Sequence, residues 1–278
     1  MVAVCHDGQV DTRLPPGIEF VRNLGAGAQG EVVQAWDANL ARRVAVKRIR
    51  QGSRHPEYDT QLLLAEGRSL AQVRSRYTAC VYDMLVDAGP GRVDAWMIME
   101  YVPGPSLDSV TKVGGRMTTP TLLLVLRHMS LALAAISQRG IVHRDVKPGN
   151  IISGGDRYCL VDFGVATLSQ SGVREQAGTP KYMAPEVAGE QPATPASDVY
   201  SLGVAAWQLA AGRHPFSEMA TTASDYLWAA QRHEIPSLRK AGCRVPGRLS
   251  RLVSSMTNPN PAKRPPAEGV ARATGRLL

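Results

Sequence analysis

The chain has 278 residues, 44% hydrophobic and 20% charged, which allows one large domain or two packed parts with buried cores and is too apolar for a disordered chain. It contains no low-complexity tract or internal repeat, which excludes solenoid architectures. The formal charge is +8, but Lys and Arg are scattered rather than gathered in one run, so the excess reads as solvated surface and not as a nucleic-acid interface.

In chain order, Met1 to Val10 holds His6 and Asp7 and no apolar stretch of signal-peptide length. Ile18 to Leu24, Glu31 to Asp37 and Arg43 to Ile49 carry β-branched and apolar residues between Gly-rich or polar turns and are predicted strands. Thr60 to Val73 is a predicted helix, because Leu63, Leu64, Leu70 and Val73 recur at helical spacing. Val81 to Val86 and Ala95 to Tyr101 follow as strands around a turn at Gly89-Pro90-Gly91.

After Val102-Pro103-Gly104-Pro105 the texture changes. Thr119 as N-cap and Pro120 as first helical residue open a long apolar helix reaching Gln138. Its middle, Leu122 to Ile136, is interrupted by Arg127 and His128 and is predicted to be too short and too polar to span a bilayer. Ser197 to Ala211 is a second buried helix, stopped by Gly212. A strand-rich front and a helix-rich back joined near residue 103 predict two lobes with a ligand-binding cleft. Cys5, Cys80, Cys159 and Cys243 lie far apart without metal-ligand spacing, which predicts free thiols in a reducing, cytoplasmic setting.

The segment Gly25-Ala26-Gly27-Ala28-Gln29-Gly30 falls on a strand–turn–strand. Glycines let a backbone fold over phosphate oxygens and present its N–H groups. The same GxGxxG pattern opens dinucleotide-binding units, but those need a helix after the glycines, and here another strand-like run follows. Val44-Ala45-Val46-Lys47 places a lysine on an apolar strand, where a snorkelling edge residue is the alternative to a catalytic one. Nineteen residues on, Glu66 in the amphipathic helix is placed to hold that ammonium. His143-Arg144-Asp145-Val146-Lys147-Pro148-Gly149-Asn150, then Asp162-Phe163-Gly164, then Ala184-Pro185-Glu186 complete an ordered set. That set resembles the protein kinase family over nearly the whole chain. With Tyr101-Val102-Pro103-Gly104-Pro105-Ser106-Leu107, its style is similar to the bacterial eukaryote-like (Hanks-type) serine/threonine kinases.

The resemblance implies an α+β, bilobal fold in one kinase domain over 1–278. An antiparallel β-rich N-lobe with one main helix would cover about 12–102, a hinge about 100–105, and a larger, mostly helical C-lobe about 106–278. It implies transfer of the γ-phosphate of ATP to Ser/Thr hydroxyls of proteins, a chemistry that needs in-line positioning and charge neutralisation. By that resemblance Asp145 is the catalytic base, and Lys147 neutralises the transferring phosphate. Lys47, held by Glu66, contacts the other phosphates. Asn150 and Asp162 offer oxygen ligands to Mg²⁺, with Mn²⁺ as the alternative. Gly25, Gly27 and Gly30 cover the phosphates. Val32, Ala45 and Ile152 sandwich the adenine, with Met99 behind it and the Glu100 and Val102 backbone at its edge. Thr179, in Gly178-Thr179-Pro180, is a partner for Asp145 and Lys147, while Asp198 anchors the catalytic loop and Arg264 pairs with Glu186.

Some positions depart from the family pattern: Gln29 stands at the tip of the glycine loop, and Arg74-Ser75-Arg76-Tyr77 replaces the usual His-Pro-Asn stretch. Glu175 stands where an activating phosphothreonine is common in related kinases, so its carboxylate is expected to stand in for that phosphate as a partner of Arg144, with Thr167, Ser169 or Ser171 as the alternative switch. Two other readings fit the residues less well. A pseudokinase scaffold would have lost a catalytic Lys, Asp or Asn, and all are present. A small-molecule kinase would lack the Gly178-Thr179-Pro180 to Glu186 segment. Expected partners are protein substrates and a homodimer for trans-autophosphorylation, with no nucleic acid and no membrane segment. Related kinases often carry a membrane helix and sensor, and this sequence reads either as a small cytosolic member or as part of a longer chain.

Overall fold

In a computed structural model, residues 13–27, 30–49, 55–89, 92–162 and 178–278 are described. Gln29, Phe163, Gly164, Thr167, Ser169, Ser171 and Glu175 lie outside them. The chain divides into two compact units, one of residues up to Ala71 with Cys80–Tyr101, the other of Gln72–Ala79 with Val102–Leu278.

The first unit is a five-stranded antiparallel sheet with one helix. Strands β1 (Ile18–Gly27), β2 (Gly30–Asp37), β3 (Arg42–Arg48), β4 (Val81–Gly89) and β5 (Arg92–Glu100) take the order β1-β2-β3-β5-β4. Side chains alternate across the sheet. Val33, Ala35, Val44, Val46, Trp96 and Ile98 bury one face. The register pairs Val32 with Lys47, Lys47 with Met97, and Ala45 with Met99, so these residues share the opposite face. Helix α1 (Pro56–Ala71) begins earlier than the leucine spacing suggested. Pro56 at its start and Glu57 and Asp59 in its first turn are ordinary start signals.

The second unit is helical: α2 (Asp108–Lys112), α3 (Thr119–Ser137), α4 (Pro185–Ala188), α5 (Pro195–Ala211), α6 (Ala223–Arg232), α7 (Gly247–Met256) and α8 (Ala267–Gly275), with a two-stranded ribbon of β6 (Ile151–Ser153) and β7 (Tyr158–Leu160). The N-cap of α3 is Thr118, whose hydroxyl accepts from the Thr121 N–H, one residue before the expected Thr119. Among the described residues α3 is the one helix long and apolar enough to cross a bilayer, contrary to the expectation that it is too short. Its Leu122, Leu126, Met129, Leu133 and Ile136 are instead buried in this unit's core. Gly212, left-handed at φ 75°, ends α5 as expected. Gln72–Ala79, expected within the strand-rich front, packs with the second unit instead. The reason is pairing across sequence: Leu160 N–H donates to the Tyr77 carbonyl at 2.8 Å and Ala79 N–H to the Leu160 carbonyl at 3.2 Å. Among the described residues, no disulfide joins Cys80, Cys159 or Cys243.

His214, buried among the rings of Tyr182, Phe216 and Tyr226, gives a testable pH dependence. Its Nδ1 accepts the Phe216 N–H at 3.2 Å and its Nε2 lies 2.8 Å from the Lys181 carbonyl, which fixes the neutral Nε2–H tautomer. Burial pushes the imidazole from the ordinary 6.5 down to about 4. The folded state thus favours neutral His214. Its contribution is complete above pH 6.5 and is lost as pH falls through 4, by roughly 3 kcal/mol. Urea unfolding between pH 7 and 4 should show wild type losing about that much more stability than His214→Gln. Parallel losses would mean that the ring does not set this dependence.

Candidate active site

In the first unit, Lys47 on β3 and Glu66 on α1 are both buried, and Lys47 Nζ donates to both Glu66 carboxylate oxygens at 2.8 Å. A buried lysine that is paired in this way has its donors satisfied and points in one direction. Around it the same sheet face carries Val32, the small Ala45 and Met99, an apolar floor beside a fixed cation.

The β1–β2 hairpin closes with Gly27 opposite Gly30. Gly30 has φ 137°, and a Cβ there would run into the Arg48 carbonyl, so this glycine is required by the sheet's own backbone. The space a Cβ would fill at Gly25 is open, which suits close approach of a ligand. Glu100 ends β5, its N–H donating to the Cys80 carbonyl at 2.8 Å.

In the second unit, donors converge on the Asp145 carboxylate. Lys147 Nζ donates to Oδ2 at 2.6 Å and Asn150 Nδ2 to the same oxygen at 3.0 Å. Thr179 donates to Oδ1 from its hydroxyl at 2.7 Å and from its N–H at 3.0 Å. Lys147 Nζ also reaches Thr179 Oγ1 at 2.8 Å, so the contacts expected of Thr179 are present. Gly178 makes this approach feasible: with φ 119°, a Cβ there would lie 2.7 Å from the Arg144 carbonyl oxygen.

The loop before Asp145 is held from below. Asp198 at the start of α5 accepts the His143 N–H on Oδ2 and the Arg144 N–H on Oδ1, both at 2.8 Å. Burial pushes the Asp198 carboxyl up to about 7, against the two N–H bonds and the Arg144 charge that favour the anion. Those bonds hold Arg144 at a left-handed φ of 67°, a conformation that costs a non-glycine residue about 1–3 kcal/mol. His143 adds a support that its motif position did not reveal, with Nδ1 accepting the Asp145 N–H at 3.2 Å.

Asn150 and Asp162 are linked through the backbone: the Val161 N–H donates to the Asn150 carbonyl at 2.9 Å, and Asp162 follows at φ 61°. Asn150 spends its amide N–H groups on the Asp145 carbonyl and carboxylate, which leaves Oδ1 as its acceptor. An amide oxygen and a carboxylate fit a hard divalent cation. Val102 and Ile152 pack together with Ala79 and Cys159 in this unit. The expected Arg264–Glu186 pair is present and bidentate, and Ser197, unassigned from the sequence, donates to the same Glu186 at 2.8 Å.

Comparison with known proteins gives the family. Residues 18–273 match the family described as protein kinase domain. The chain is 39% identical over 204 residues to Serine/threonine-protein kinase PknA of Mycobacterium tuberculosis, covering 70% of this chain and 47% of that protein. It is 35% identical over 215 residues to Serine/threonine-protein kinase AfsK of Streptomyces griseus, 75% of this chain and 26% of that one. To the probable serine/threonine-protein kinase PkwA of Thermomonospora curvata it is 34% identical over 254 residues, 88% of this chain and 32% of that protein. The chain therefore spans less than half the length of these curated relatives.

Proposed function

The chain belongs to the protein kinase family, and from that premise we propose that it is an active enzyme transferring the γ-phosphoryl group of ATP to serine and threonine hydroxyls of proteins. The observation that carries the reading is the convergence of Lys147, Asn150 and Thr179 on the Asp145 carboxylate. A carboxylate held on both oxygens is a fixed acceptor that can orient an incoming hydroxyl and take its proton. Lys147, already shared between Asp145 and Thr179, brings a positive charge to where a phosphoryl group would pass.

In the first unit, Lys47 would hold ATP oxygens, kept in place by Glu66. Val32, Ala45 and Met99 would supply apolar surface to the base and Glu100 a backbone group; the residues of the second unit proposed for nucleotide are Ile152, through its apolar side chain, and Val102, through its backbone. Gly25, Gly27 and Gly30 would let the hairpin lie close to phosphates. Asn150 and Asp162 would hold Mg²⁺ or Mn²⁺, which when bound neutralises charge on the triphosphate. That no disulfide joins Cys80, Cys159 or Cys243 among the described residues supports a cytoplasmic setting, where ATP is available.

The test is incubation of the purified chain with labelled ATP, Mg²⁺ and a mixed protein substrate, followed by phosphoamino-acid analysis. Phosphoserine and phosphothreonine are expected. Label on tyrosine alone, on small molecules alone, or none at all from a folded chain would overturn the reading.

A further inference from the structure

Between Glu234 and Glu268 lie 33 residues without a single Asp or Glu, and they include Arg239, Lys240, Arg244, Arg248 and Arg251. All five are exposed, and none forms an ion pair among the described residues. Elsewhere on the second unit's surface, arginines do find carboxylates, as Arg76 does with Asp156 and Arg213 with Glu218.

Two of the five converge. The terminal nitrogens of Arg239 and Arg251 lie 3.5 and 3.6 Å from the point where a Cβ of Gly247 would sit, so they are no more than about 7 Å apart. The backbone that carries Arg239 is anchored. Leu238 and Cys243 bury the ends of the turn that carries Arg239, and the Cys243 N–H donates to the Leu238 carbonyl at 2.9 Å. The Arg239 N–H reaches Ser250 Oγ of α7 at 3.4 Å, and Ser250 is itself buried. Two like charges thus lie close together over a residue with no side chain. Arg248 adds a third cation to the first turn of α7, which has no acidic residue, so charge and helix dipole are opposed there. Local rules broken without internal compensation mark functional surfaces.

We propose that Arg239 and Arg251 form a docking site for a phosphomonoester, the phosphoserine or phosphothreonine of a peptide segment. A dianion of about −2 charge with three acceptor oxygens can bridge two guanidinium groups at this spacing. Large exposed apolar side chains, which would anchor a membrane surface, are missing from Arg239–Arg251 among the described residues, so a discrete phosphate fits better than a bilayer. The choice of phosphopeptide rests on the kinase reading, since that chemistry makes phosphomonoesters; the cation pair itself does not depend on it.

The experiment measures binding of a fluorescent peptide, with and without one phosphoserine, to Asp145→Asn protein without nucleotide, so that the result does not depend on catalysis. Preference for the phosphorylated form is expected, with affinity falling about tenfold or more in Arg239→Ala/Arg251→Ala. Lysine at both positions should restore only part of it, because the fork geometry is lost. On the otherwise wild-type chain, the double alanine variant should phosphorylate an unprimed peptide at the parental rate. Equal binding of the two peptides, or unchanged affinity in the double variant, would overturn the proposal. So would binding only to phosphatidylserine-containing vesicles with no phosphopeptide preference.

Discussion

Asp145→Asn is expected to lower kcat for phosphoryl transfer by about 10²- to 10⁴-fold while the affinity for nucleotide changes little. The geometry explains why an apparently conservative change should be so costly. Among the described residues, every hydrogen-bonding neighbour of the Asp145 carboxylate is a donor: Lys147 and Asn150 on Oδ2, the Thr179 hydroxyl and N–H on Oδ1. An asparagine has one oxygen and one NH₂ to place there. With the NH₂ at the Oδ2 position it faces two donors, Lys147 Nζ and Asn150 Nδ2. Turned over, it faces the Thr179 N–H and hydroxyl. The substitution therefore removes the proton acceptor and also loosens the group that orients Thr179 and Lys147. Steady-state kinetics on the purified variant, with ATP affinity measured separately by titration, decide the matter. Retention of more than about a tenth of kcat, a loss under ~1.4 kcal/mol, would remove Asp145 from the role of base.

The strands of the first unit were legible because alternation on a sheet with one face buried is a local signal, and Val44, Val46, Trp96 and Ile98 obey it. The helices after Gly212 were not identified from the sequence. For α6 a signal existed: Thr222 and Asp225 form a reciprocal capping box, with the Asp225 carboxyl held down to about 2 by N–H bonds from Thr222 and Thr221. For α7 and α8 there was less to find, since Pro246 and Pro266 precede them without a capping side chain. The site was legible in a different way. No spacing rule brings Thr179 to Asp145 or Asp198 to His143 across 34 and 55 residues, and those contacts entered through family resemblance. Even there the physics added something the motif did not contain. Gly30 is needed because the Arg48 carbonyl occupies its Cβ position, a constraint of the β2–β3 backbone as much as of any phosphate.

Arg264→Met is expected to destabilise the fold by about 3–5 kcal/mol, the usual cost of breaking a buried pair from one side. The Arg264 side chain is fully buried and every nitrogen is used. Nη1 and Nη2 donate to the two Glu186 oxygens at 2.6 and 2.7 Å, Nη1 also to the Ala196 carbonyl, Nη2 to that of Pro259, and Nε to that of Asn258. Burial alone would raise the Glu186 carboxyl; the Arg264 guanidinium and the Ser197 hydroxyl hold it below its ordinary value instead. Removing the arginine leaves that carboxylate without its main counter-charge and three carbonyls without a donor. Thermal unfolding should move down by roughly 6–20 °C. The double variant Arg264→Met/Glu186→Leu separates the two contributions, because it removes the stranded charge along with its partner. It should unfold above the single variant yet below wild type, the remaining loss coming from the carbonyls of Ala196, Asn258 and Pro259. If the single and double variants unfold together, the cost lies in the arginine's backbone contacts, and the ion pair with Glu186 contributes little to stability.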